Sequence, residues 1–243
     1  MIQKSRPAPS LSAGASAVAV AFALSLSSAA HAEHVVFSGA EGSSNSSYAY
    51  LGTVIPMEGE QLGRGWYRKA VISMIRYRYQ STERGDAEEV TGKIPGIEGG
   101  IGHAWQFGGR TLDLSATVGY RNIRLSPFEP KDEKTGNVIT LNPQLMAYTR
   151  LSDRTDADLI ANYAIGLGNS FARLRAGFRP AERWRTGIET KRLKGDSYEV
   201  RAAGVFISLP ISDKLTMDIT AGKEKPRDDP SASYGGIAFS AVF

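Results

Sequence analysis

The sequence predicts an all-β protein: an antiparallel up-and-down transmembrane β-barrel of about twelve strands, preceded by a cleavable signal peptide. Three observations predict it. The N-terminus has the order of an export signal, the remainder alternates apolar and polar residues with period two, and the last strand ends on an aromatic residue.

Lys4 and Arg6 give the start a positive charge, and a run of small and apolar residues follows from Leu11 to Leu26. It closes on Ala30-His31-Ala32, the small-x-small pattern of a signal-peptidase site, with Ala30 and Ala32 at the recognised positions. The apolar run is short and diluted by Ser and Gly, which disfavours a helical anchor of about 20 apolar residues. Residues 1–32 are therefore expected to be a signal peptide, and residues 33–243 the barrel. Removing 1–32 takes away Lys4 and Arg6 from 29 Lys+Arg, leaving 27 against 25 Asp+Glu, a net charge of +2. Such a balance does not point to a nucleic-acid partner. Without cysteine, an exported chain gains nothing from disulfides and must rely on burial and backbone pairing.

The alternation is clearest at Leu112, Leu114, Ala116, Val118 and Tyr120, set against Thr111, Asp113, Ser115, Thr117, Gly119 and Arg121. Only a strand separates two such sets, because successive side chains point to opposite faces. The same reading gives strands near 35–42, 47–55, 66–79, 96–107, 110–123, 138–149, 156–166, 170–179, 183–192, 197–208, 214–223 and 234–243. Near Arg201, Tyr198, Val200, Ala202, Gly204 and Phe206 keep period two and exclude a helix.

The connections add an independent signal. Gly108-Gly109, Leu151 to Arg154, Pro180 to Arg183 and Pro210 to Lys214 are short, whereas 80–95, 124–137 and 224–233 are long, charged and rich in Gly, Pro and Asp. The exceptions are two compact connections near Gly168 and Gly195, and a longer one from Pro56 to Gly65. Outer-membrane barrels show this asymmetry, with tight periplasmic turns and longer extracellular loops. Both termini must then be periplasmic and the strand count even. Twelve fits, and ten remains if 35–42 and one neighbour are not strands.

The final segment, Tyr234 to Phe243, places Ile237, Phe239 and Phe243 on one alternating face. This resembles the C-terminal signal read by the barrel insertion machinery. A strand that must close a barrel in lipid cannot leave its amides unpaired. The competing reading is an edge strand of a soluble β-sandwich.

Periodicity alone does not say which face meets lipid. The polar face carries Arg76, Arg78, Glu98, Asp113, Arg121, Asp156, Asp158, Arg173, Arg175, Arg185, Glu189, Glu199, Arg201 and Asp218, which in a barrel become candidate lumen charges. Aromatic residues near strand ends (Tyr48, Tyr50, Trp66, Tyr67, Tyr77, Tyr79, Trp105, Tyr120, Trp184 and Tyr198) suit the two membrane interfaces. Acids and bases on the polar face nearly balance. They form either a salt-bridged plug or a basic track for anionic sugars, and the plug is preferred because Arg–carboxylate networks need no ligand.

Catalytic chemistry is sparse. Past the leader there are only His34 and His103, and His103 falls in the apolar register beside Trp105 with no nearby serine. No metal motif occurs; Asp132-Glu133 and Asp228-Asp229 read as solvated loop charge. No cofactor and no metal are expected.

Several strings carry a family likeness: Phe37-Ser-Gly-Ala-Glu41, Ser47-Tyr-Ala-Tyr-Leu-Gly52, Val54-Ile-Pro56, Gly65-Trp-Tyr-Arg68, Arg76-Tyr-Arg-Tyr79, Tyr120 to Pro127, and Ala172-Arg-Leu-Arg-Ala-Gly-Phe178. With the barrel pattern they resemble the BcsS family of cellulose-biosynthesis proteins. The resemblance implies a non-catalytic accessory of bacterial cellulose production at the outer membrane. Its partners would be outer-membrane lipid, the insertion machinery, and cellulose synthase or export components or the polysaccharide itself. It brings no catalytic residues. The alternatives are a small porin for anionic oligosaccharides and, third, a lipid-modifying barrel enzyme using His103.

Overall fold

The computed structural model describes residues 33–81, 88–127, 135–181, 184–196, 198–227 and 230–243. Ala30 and Ala32 lie outside the described residues, as do Asp132-Glu133 and Asp228-Asp229. The described chain forms twelve strands: β1 Val35–Ser43, β2 Ser46–Pro56, β3 Gly65–Ser81, β4 Glu88–Phe107, β5 Arg110–Ser126, β6 Gly136–Arg150, β7 Thr155–Ala164, β8 Asn169–Ala181, β9 Trp184–Lys194, β10 Glu199–Pro210, β11 Leu215–Pro226 and β12 Ala232–Val242. Each pairs antiparallel with its sequence neighbour, and β1 pairs with β12 to close the barrel. The twelve-strand expectation holds.

Closure runs from Val35↔Val242 to Ser43↔Tyr234, so no strand edge is left open. This matters in lipid, where an unpaired amide costs several kcal/mol. The ends are tied further by His34 and Phe243, which exchange two backbone hydrogen bonds and stack their rings. Ile237 and Phe239 fall in the outward register of β12, and Phe243 follows directly after its last residue.

Tight turns lie at the end that carries the termini. Gly108 and Gly109 both adopt positive φ, 50° and 82°, the conformation a two-residue hairpin needs to match strand twist. Two other turns at this end share a local sequence, Leu151-Ser-Asp-Arg and Ile211-Ser-Asp-Lys, and a local solution. Ser152 Oγ accepts from the amides of Arg154 and Thr155, and Ser212 Oγ accepts from those of Lys214 and Leu215. A serine hydroxyl thus satisfies the turn amides that no ladder reaches.

Strand lengths are uneven. β3, β4 and β5 have 17, 20 and 17 residues, against 9–13 for β7–β12 and β1–β2. About 9–11 residues cross a bilayer. The β3–β5 wall therefore projects beyond it at the end opposite the termini. Glu88 to Pro95, expected as loop from its charge and Gly/Pro content, continues β4, because Val90 and Ile94 turn inward and stay buried. Pro95 leaves its mark as an interruption in the β4–β5 ladder between Lys93 and Gly96.

Candidate functional site

The lumen is the site with the densest chemistry. On β7, β8 and β9 the inward charged residues are Asp156 and Asp158, Arg173, Arg175 and Arg179, and Arg185, Glu189 and Lys191. Their registers bring them together: Asp158 lies directly opposite Arg175, and Arg175 directly opposite Glu189.

Glu189 is the hub. Its side chain is fully buried and accepts from Arg175 Nε at 2.8 Å and from the Tyr234 hydroxyl at 2.8 Å, with Lys191 Nζ at 2.9 Å. Lys191 also reaches Glu41 on β1, across the width of β10, β11 and β12. Asp156, equally buried, pairs with Arg185 at 2.6 Å and Arg179 at 2.6 Å, and Arg185 continues to Asp158 at 2.5 Å. Between the two hubs sits Phe206, 2% exposed, with the Arg175 and Arg185 guanidinium carbons 4.5 and 4.7 Å from its ring centroid. An aromatic ring between two cations is held by its negative faces. Asp218 joins from β11, 3.6 Å from Arg175 and bonded by the Ser208 hydroxyl.

The β3–β6 side is built differently. Tyr67 donates to Asp113 at 2.5 Å, Lys69 to Gln144 at 2.7 Å, and Asn142 to Glu98 at 3.0 Å. Arg121 stands 3.6 Å from Glu98. Toward the loop end, Ile94, Ile123 and Leu167 form a buried apolar cluster, flanked by Ile75, Tyr77, Val138 and Ala164.

The structure brings Glu98, Asp113, Arg121, Asp156, Asp158, Arg173, Arg175, Arg185, Glu189 and Asp218 to the inner face. It corrects the placement of four others. Arg76 and Arg78 share the outward face of β3 with Trp66, Ile72 and Met74. Arg201 and Glu199 share the outward face of β10 with Val205, because Phe206 fixes the opposite set as luminal. Past the lipid band the outward face meets headgroups and water, so charge there is no sign of the lumen. The aromatic expectation is corrected too: Tyr48, Tyr50, Tyr67, Tyr77 and Tyr79 point inward, and Trp66, Trp105, Tyr120 and Trp184 point outward.

Sequence reasoning missed Glu41, Lys69, Arg179 and Lys191. Lys191 and Arg179 were findable, lying two and four residues along the same face from Glu189 and Arg175. Glu41 and Lys69 lacked a strong alternating context. His103 lies outward between Trp66 and Trp105, with ring centroids 4.9 and 4.3 Å away, and its cross-strand partners are Trp66 and Leu114. Among the described residues, no three His, Asp or Glu side chains converge as a metal site.

The model of the family described as cellulose biosynthesis protein BcsS matches residues 35–243, the whole barrel. No curated protein matches the chain by sequence. Solved structures with a similar fold include the TodX deltaS2S3 mutant monoaromatic hydrocarbon channel, at 10% identity and TM-score 0.56, with 89% of this chain and 91% of that one covered. The COG4313 outer membrane channel from Pseudomonas putida F1 aligns at 10% identity and TM-score 0.55, covering 87% and 94%. The KdgM porin in complex with disordered oligogalacturonate aligns at 9% identity and TM-score 0.50, covering 86% and 99%. These likenesses establish a closed barrel of the outer-membrane kind.

Proposed function

We propose, on the premise that the chain belongs to the BcsS family of cellulose biosynthesis proteins, that it is a non-catalytic outer-membrane accessory of cellulose production whose lumen is held shut. Residues 1–32 direct export, and Ile237, Phe239 and Phe243 at the C-terminal end direct insertion. The observation that carries the reading is the Glu189 hub. A neutral glucan threading this lumen would have to displace Arg175, Lys191 and Tyr234 from one buried carboxylate and offer only hydroxyls in return. Separating buried charges from their partners costs about 3–5 kcal/mol per pair. The barrel is accordingly an anchor or assembly partner for the cellulose apparatus rather than its conduit. Deleting the gene in a cellulose-producing host should reduce Congo-red binding and pellicle attachment, and the wild-type gene should restore both. Unchanged cellulose output and attachment would sink the reading.

A second reading, a small channel for anionic oligosaccharides, is favoured by two guanidinium groups. Arg173 and Arg121 are largely buried, yet their Nε atoms have no hydrogen-bond partner. Their nearest carboxylates stand at 3.9 Å (Asp158) and 3.6 Å (Glu98). One structural neighbour was solved with an oligogalacturonate. Planar-bilayer recordings decide between the readings. A silent barrel supports the plug, and an anion-selective current that falls in Arg173→Gln supports the channel.

A further inference from the structure

The outward face of the β3–β5 wall carries two rows of directly paired residues. The lower row is Trp66↔His103↔Leu114. The upper is Arg76↔Lys93↔Arg124. From Trp66 to Arg76 the strand advances about 34 Å at ~3.4 Å per residue. At a tilt of ~40° it climbs about 26 Å, the height of the ~25 Å apolar band of such barrels. Between the rows Ile72, Met74, Ile97, Ile101, Val118 and Tyr120 are exposed and apolar or aromatic; the polar exceptions sit at the margins, Arg68 beside Ile101 one outward position above the lower row and Asn122 one outward position below the upper. The lower row thus marks the membrane boundary at the termini end, and the cationic row marks the boundary at the loop end.

Three cations side by side on adjacent strands repel, and like charges directly opposite are destabilising. Among the described residues, no carboxylate pairs with Arg76, Lys93 or Arg124. Arg124 Nε donates to Asn122 Oδ1, and Glu89 on β4 is engaged by Arg78 at 3.6 Å. Elsewhere on the wall the same arrangement has its own anion. Arg192↔Arg201↔Lys225 is a second outward row near the loop end. There the Glu199 carboxylate takes Arg201 Nε at 2.8 Å, Arg192 Nε at 3.1 Å and Arg227 at 3.6 Å. Among the described residues, the β3–β5 row presents the cations without the carboxylate.

We propose that Arg76, Lys93 and Arg124 bind a phosphate group on the sugar headgroup of a phosphorylated glycolipid in the outer leaflet. The row faces sideways into the membrane boundary, not into the lumen, so its anion arrives with acyl chains attached. Those chains lie against Ile72, Met74, Ile97 and Val118. Two guanidinium forks and an ammonium match the oxygens of a phosphate monoester. The Tyr120 hydroxyl, bonded to Asn137 at 2.7 Å, sits two outward positions below Arg124 at the edge of the apolar band.

The test uses the full barrel, purified folded in detergent micelles, and native mass spectrometry. The probes are lipid A bearing both its phosphates and the same lipid A after phosphatase treatment. The expected result is retention of the phosphorylated form only, falling about tenfold in Arg76→Gln/Lys93→Gln/Arg124→Gln while heat-modifiable gel migration shows the barrel still folded. Arg192→Gln/Arg201→Gln should retain the lipid as wild type does. Equal retention by wild type and triple variant overturns the proposal, as does equal retention of dephosphorylated lipid. Displacement by millimolar inorganic phosphate would mark a soluble-anion site and overturns it as well. Should the triple variant not fold, Lys93→Gln, central in the row, carries the test with the same outcomes.

Discussion

The two sides of the lumen solve one problem in different ways. Both must fill the inside of a barrel with polar side chains and leave few of them unsatisfied. On the β7–β9 side, strands of 10–13 residues do this with ion pairs, concentrating several cations on two fully buried carboxylates, Glu189 and Asp156. On the β3–β6 side, strands of 15–20 residues use bonds such as Tyr67–Asp113 and Lys69–Gln144 and then an apolar cluster at Ile94, Ile123 and Leu167. The difference teaches that charge in this lumen is local. It is gathered where facing strands are short and adjacent, and replaced by packing where the wall rises past the bilayer. A hub carboxylate should therefore be far more sensitive to substitution than any one member of the other side.

Glu189→Gln tests this most severely. The isosteric amide keeps the volume but takes from Arg175 and Lys191 their shared buried counter-charge, leaving Arg175 only Asp218 at 3.6 Å and Lys191 only Glu41. Removing one partner of a buried pair destabilises by about 3–5 kcal/mol. Urea unfolding in lipid vesicles, followed by the fluorescence of Trp66, Trp105 and Trp184, should show that loss. A change below about 1 kcal/mol, the scale of an exposed pair, would show that water reaches the hub and would break the contrast. On the opposite side, Ile123→Ala removes buried methyl groups from the apolar cluster and should cost about 2–4 kcal/mol. If Ile123→Ala is harmless, the cluster is hydrated and the two sides are alike. Tyr67→Phe takes one hydrogen bond from Asp113, with an expected loss of about 1–2 kcal/mol in the same assay.

These sensitivities also show what the sequence made legible. Every strand was readable, because period-two alternation survives even where the mean is hydrophilic, as at Leu112 to Arg121. Facing was not always readable. In β10, Val200, Ala202, Gly204 and Phe206 look like a lipid face, yet Phe206 is luminal, wedged between Arg175 and Arg185 from other strands. In β3, both sets are mixed: Trp66, Arg68, Ala70, Ile72 and Met74 against Tyr67, Lys69, Val71, Ser73 and Ile75. Only the ladder to β4 and β5 decides, and a ladder is a property of three strands rather than one. The partners of Glu189 were hidden for the same reason, since Tyr234 lies 45 residues away in sequence.

Arg201→Gln is the smallest test and bears directly on the corrected facing. Had Arg201 been luminal, its loss would unbalance the charge network and approach the cost of a hub residue. On the outward rim, its side chain is 72% exposed, and Glu199 keeps Arg192 and Arg227 as partners. An exposed ion pair contributes about 0–1 kcal/mol, and the remaining two arginines compensate in part. The unfolding midpoint should therefore barely move, and less at high salt than at low, because exposed pairs are screened. A loss comparable to that of Glu189→Gln would return Arg201 to the lumen and invert the register of β10. It would take Phe206 from between the two guanidinium groups, and the partition of the barrel into an ionic and a packed side would fail with it.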